Sequence, residues 1–157
     1  MRITYRIIAF VICGLVALQA ASHAWASAGL GLYLAEGGVI DGASAEGPPP
    51  FPEVTGFIIH GMNGMFVIPT LALILLIVSF FAKVPHGVVY ALVVLGLVIL
   101  QVTLGLLGHG IAFLGFLHGM NALLLFTAAL LAGLNAKRRN VEPASAASVP
   151  STTGATA

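Results

Sequence analysis

At 157 residues the chain is long enough for one ordinary domain, yet 59% of it is hydrophobic, only 7% is charged and its mean hydropathy is +1.08. That composition excludes a soluble globular fold and predicts a membrane protein. Six Lys and Arg against five Asp and Glu leave a formal charge of +1, which provides neither a basic surface for nucleic acid nor an acidic tail for a basic partner.

A hydrocarbon core of ~30 Å takes about 20 helical residues to cross. Four stretches are long enough: residues 7–34, 57–82, 86–114 and 116–136. The expected fold is all-α, an integral membrane four-helix bundle over residues 1–139. Residues 140–157 hold mostly Ala, Ser, Thr and Pro, cannot bury a core and are expected to be a disordered cytoplasmic tail. The first stretch also imitates a cleavable signal peptide, with Arg2 and Arg6 ahead of an apolar run and Ala24-Trp25-Ala26 behind it.

Between the first and second stretches, residues 35–56 carry Glu36, Asp41, Glu46 and Glu53 with no Lys or Arg, and Pro48, Pro49, Pro50 and Pro52 make part of this loop extended and stiff. Every basic residue falls on the other side: Arg2, Arg6, Lys83, Lys137, Arg138 and Arg139. The positive-inside rule then predicts a multi-pass membrane protein with both termini cytoplasmic and the acidic loop outside.

The chain also resembles itself. Gly14-Leu15-Val16-Ala17-Leu18-Gln19 in the first stretch matches Gly96-Leu97-Val98-Ile99-Leu100-Gln101 in the third. His60-Gly61-Met62-Asn63 recurs unchanged as His118-Gly119-Met120-Asn121. The offsets are 82 and 58 residues, and the long outer loop of the first half absorbs the difference. This pattern predicts two tandem repeated transmembrane hairpins related by a pseudo-twofold along the membrane normal. It also argues for retention of the first helix, since a leader to be removed has little reason to match a helix that stays.

A single cysteine, Cys13, excludes an intrachain disulfide or thiolate cluster, so any metal chemistry falls to histidine. Gln19, His23 and Ser27 share one helix face, as do Gln101, Gly105 and His109. His60 with Asn63, and His118 with Asn121, share faces of the second and fourth helices. Polar side chains in lipid turn inward, so the four stripes predict one polar zone near the outer surface. His86, beside Pro85 at the cytoplasmic boundary, reads as an interfacial histidine. Met62 and Met120 stand about 200° round the helix from their histidines, which argues against a His/Met copper site on one helix.

Two imidazoles from facing helices suit ligation of an iron porphyrin from both sides. The expected cofactor is a non-covalent haem b with His60 and His118 as metal ligands; Gln19, His23, Gln101, His109, Asn63 and Asn121 line the pocket. No pair of cysteines precedes a histidine, so no covalent haem attachment is expected. The same residues also suit interhelical hydrogen bonding with no cofactor at all.

The string from Leu100 to Phe126, LQVTLGLLGHGIAFLGFLHGMNALLLF, resembles the helix-loop-helix of the haem A synthase group. That group has two four-helix haem-binding halves, and this chain is the size of one. The resemblance implies axial ligation by His118 and its repeat mate His60. Without a second half, or a cysteine pair in the first outer loop, it does not imply synthase activity. The chain is also similar to an uncharacterised family of small bacterial four-helix membrane proteins that share the His-Gly motif, and this resemblance implies the bacterial inner membrane.

The functional expectation is a membrane haem protein in electron transfer or haem-linked redox chemistry, with the lipid bilayer and a quinone or membrane redox protein as partners. One alternative is a non-catalytic small subunit or assembly factor of a larger membrane complex. A second is metal-ion transport, against which the apolar inner segments 71–81 and 88–98 offer no ionisable relay.

Overall fold

The computed structural model describes residues 1–40 and 47–137, and these are helical throughout apart from short connections. Four helices are each long and apolar enough to cross a membrane: α1 Arg2–Ala35, α2 Pro52–Ser79, α3 Gly87–Gly108 and α4 Ala112–Asn135. Asp41, Glu46, Arg138, Arg139 and the expected tail 140–157 lie outside the described residues.

The helix ends follow from local chemistry and differ from the expected spans by several residues. α2 begins at Pro52, five residues before the expected start, because a proline at the first helical position loses no hydrogen bond there. α3 ends at Gly108 rather than near residue 114, and the chain reverses through His109-Gly110-Ile111, whose Gly110 and Ile111 amides both bond the Leu107 carbonyl at 3.1 Å. A Cβ on Gly108 would stand 3.1 Å from the Gly115 nitrogen, so glycine is what lets this reversal close. At the other end, Lys83 and His86 adopt left-handed backbone angles, φ 51° and 54°, and turn α2 into α3 within a few residues.

The helices run up, down, up and down, and pack as a ring in which each touches its two antiparallel neighbours, α1 beside α2 and α4, α3 beside α2 and α4. Across the diagonal, single side chains make the contact, as where the Tyr5 hydroxyl donates to the Gly87 carbonyl at 2.9 Å. Arg2 Nε donates to the Ala136 carbonyl at 2.9 Å, and Asn135 donates to that of Pro85. One end of the bundle therefore gathers Arg2, Arg6, Lys83 and Lys137, while Glu36 and Glu53 stand at the other.

The core is built of small and medium apolar groups, and large apolar side chains such as Phe66, Leu73, Phe80, Val89 and Leu123 face outward. That inversion of the soluble pattern suits a helix surrounded by hydrocarbon. Four of the buried positions on α1 are Tyr5, Ala9, Ile12 and Val16; those on α3 are Gly87, Ala91, Val94 and Val98, each 82 residues on. On α2 the inner core positions are Ile68, Ala72, Leu75 and Ser79, and their counterparts, Leu125, Ala129 and Ala132 on α4 and Ala136 just past its end, lie 57 residues on. Nearer the acidic end, the buried Asn63 and Asn121 lie 58 apart. The one-residue change falls at Asn63–Val67, a single π-helical turn within α2. Such a turn holds one extra residue and keeps both halves of the helix facing the core.

Residues 27–35 of α1 run on past the α3–α4 reversal and are covered by the segment entering α2. Tyr33 lies against Phe51 with ring centroids 5.5 Å apart, and Gly29 leaves room for the Glu53 side chain.

Candidate functional site

One turn of α2 and one of α4 bring their histidines to the middle of the ring from opposite corners. His60 and His118 face one another across the bundle with ring centroids 6.0 Å apart and planes inclined at 54°. His60 Nδ1 lies 3.1 Å from the Gln19 carbonyl on α1, and His118 Nδ1 lies 2.9 Å from the Gln101 carbonyl on α3. A carbonyl can only accept, so in both rings Nδ1 carries the proton and the neutral imidazole presents a bare lone pair at Nε2. This is the tautomer and the kind of outer hydrogen bond that a metal-ligating histidine uses.

One turn further in, the asparagines repeat the arrangement. Asn63 Nδ2 donates to the Leu15 carbonyl at 3.2 Å, and Asn121 Nδ2 to the Leu97 carbonyl at 2.9 Å. These four bonds connect α2 to α1 and α4 to α3 at positions 82 apart on the accepting helices and 58 apart on the donating ones. The carbonyls are available because each has a second lone pair beside the one used by the helix; that of Gln19 also accepts from Ser22 Oγ at 3.2 Å.

The two halves then diverge. Asn121 Nδ2 also bonds Gln101 Oε1 at 2.6 Å, whereas the Gln19 side chain turns its amide nitrogen over Gly64 and leaves Oε1 buried without a partner. His23 packs edge-on against His60 at 4.9 Å and against Phe57 at 5.4 Å, with Nδ1 3.2 Å from Ser27 Oγ. Its counterpart by position on α3 is Gly105, where a Cβ would come within 3.0 Å of His118 Cε1. The His118 ring thus occupies room that on the other side is taken by a third imidazole.

His60, His118, Asn63, Asn121, Gln19, Gln101 and His23 are therefore brought together. His109 lies apart: it follows the last turn of α3, is exposed, and its Nδ1 is 3.3 Å from the Leu106 carbonyl. His86 is exposed at the basic end, and Met62 and Met120 face outward. Among the described residues no group of three or more His, Cys, Asp or Glu is arranged to hold a metal ion. Sequence reasoning treated Gln19 and Gln101 as side chains lining a pocket and missed that their backbone carbonyls orient the histidines. It also missed Gly105 as the space-maker for His118, although its place opposite His23 in the repeat register was a usable signal.

Two imidazoles on one metal, with bonds of about 2.0 Å, hold their ring centroids roughly 6 Å apart. The separation of His60 and His118 falls at that value. Comparison with protein-family models, with curated proteins and with solved structures returns no match. The functional reading rests on the geometry.

Proposed function

We propose that the chain is a multi-pass inner-membrane protein, built from two tandem copies of a transmembrane hairpin, that holds one non-covalent b-type haem between His60 and His118 and takes part in electron transfer. The observation that carries this reading is the matched pair of imidazoles on diagonal helices, each with Nδ1 fixed by a carbonyl and Nε2 left as a lone pair. Bound there, haem supplies one-electron exchange between its ferric and ferrous states. The resemblance of residues 100–126 to the haem A synthase group points to the same ligands. The cytoplasm faces the end carrying Arg2, Arg6, Lys83 and Lys137, and the haem layer lies nearer the outer surface, since His118 stands 17 residues, roughly 26 Å of helix, before the end of α4.

A second reading has its own support. The bonds from Asn63 to Leu15 and from Asn121 to Leu97 join helices directly, as they do in a purely structural bundle, which suits a small subunit or assembly factor. Metal-ion transport gains no such support.

The deciding experiment is the visible spectrum of the full-length protein purified from haem-replete cells. A Soret band with the reduced α and β bands of a six-coordinate b-type centre is expected. A colourless preparation that also refuses added haemin overturns the haem reading and leaves the subunit reading.

A further inference from the structure

The polar layer at the middle of the bundle holds several acceptors that no donor answers. Both histidine Nδ1–H groups are engaged by carbonyls, which leaves lone pairs at the two Nε2 atoms. The asparagine amides cannot be turned over, because that would set oxygen against the carbonyls of Leu15 and Leu97. Their Oδ1 atoms therefore point away from those carbonyls, and both are buried with no hydrogen-bond partner, as is Gln19 Oε1. Asn63 is only 6% exposed and Asn121 only 3%. An unpartnered buried acceptor is costly, and here three of them lie on the residues that flank two bare imidazole nitrogens or stand one turn from them. Among the described residues Arg2, Arg6, Lys83, Lys137, Glu36 and Glu53 stand at the ends of the bundle, so no charged side chain in this layer answers these oxygens.

We propose that this acceptor-rich layer selects the oxidation state of its occupant: resting on the haem reading, Gln19, Asn63 and Asn121 favour ferric over ferrous haem and hold the midpoint potential low. The ferric haem core carries one net positive charge and the ferrous core none. In a medium of low dielectric the negative ends of fixed amide dipoles stabilise the first and not the second. The preference and the potential are one quantity, because a tenfold change in the ratio of ferric to ferrous affinity is 59 mV for a one-electron couple.

The test is a spectroscopic redox titration of the full-length, haem-loaded protein in lipid nanodiscs. Gln19→Met is the first variant, since it removes a side-chain amide whose oxygen bonds nothing while the backbone carbonyl that holds His60 remains. It is expected to keep the six-coordinate spectrum and to weaken the ferric preference about threefold, with a correspondingly higher midpoint. Asn63→Leu and Asn121→Leu combined should weaken it about tenfold, ~59 mV upward. Should those two lose the fold with their helix-joining bonds, Gln19→Met, which leaves both bonds in place, decides the proposal. Water that satisfies the oxygens without regard to charge predicts an unmoved potential. An unmoved or falling midpoint in a haem-loaded Gln19→Met protein overturns this proposal and leaves the haem reading intact. A parent protein that binds no haem fails the earlier reading instead.

Discussion

The Tyr5 hydroxyl donates to the Gly87 carbonyl at 2.9 Å, and these two residues stand at the same 82-residue interval that separates Gln19 from Gln101. A tyrosine on α1 thus meets, across the diagonal, the glycine that holds its own place on α3. The bond pins the basic end of the bundle while the histidines occupy its polar layer. Tyr5→Phe leaves the Gly87 carbonyl without this donor in a buried site, and a loss of about 1–3 kcal/mol is expected. Unfolding in mixed micelles of increasing denaturing-detergent fraction measures it, and an unchanged midpoint would show the bond to be energetically idle.

His60→Ala and His118→Ala should each abolish the six-coordinate spectrum, and His86→Ala should not. His23→Ala is expected to leave haem bound while shifting its potential, because that imidazole touches His60 rather than facing His118. His109→Ala, a change at an exposed helix end apart from the other ring groups, should leave the haem spectrum and potential unchanged. If His23→Ala removes six-coordination and His60→Ala does not, the ligand pair has been assigned to the wrong rings.

Gly105→Val should displace the His118 ring, since even a Cβ at that position comes within 3.0 Å of Cε1. The expected result is loss of the six-coordinate band in a folded protein. Gly61→Ala is the control, because nothing lies within 4 Å of a Cβ there.

The π turn at Asn63–Val67 makes an unusual demand on deletions. Removing Phe66, which is exposed within the turn, should convert it to ordinary α-helix and keep Ile68, Ala72 and Leu75 in the core. Removing Leu73, in regular helix, turns every later residue of α2 by about 100° and should destabilise the bundle severely. Equal tolerance of the two deletions would contradict the extra-residue account.

Topology is checked by labelling in a Cys13→Ser background. A cysteine at Ser44 should react with an impermeant reagent from outside and one at Ser148 should not. Recovery of a chain beginning near Ser27 would instead identify the first segment as a signal peptide.

Composition and hydropathy were enough to determine that four apolar helices would form, because crossing ~30 Å of hydrocarbon sets a length and an apolarity that are readable residue by residue. The matching strings around Gln19 and Gln101, and around His60 and His118, were legible for the same reason: they are patterns along the chain. Only the tertiary structure decided that His60 and His118 sit on diagonal helices, since ring order depends on which faces pack and not on the period of any one helix. It alone showed that Gln19 and Gln101 act through carbonyls, because every residue has a carbonyl and composition cannot mark the one that a neighbour reaches. The π turn was equally hidden: its extra residue changes the offset from α2 to α4 from 58 to 57 without changing the kind of residue found there. The three unpartnered oxygens belong to this second class as well, for burial without a partner is a property of packing, and the sequence shows only that Gln19, Asn63 and Asn121 are amides.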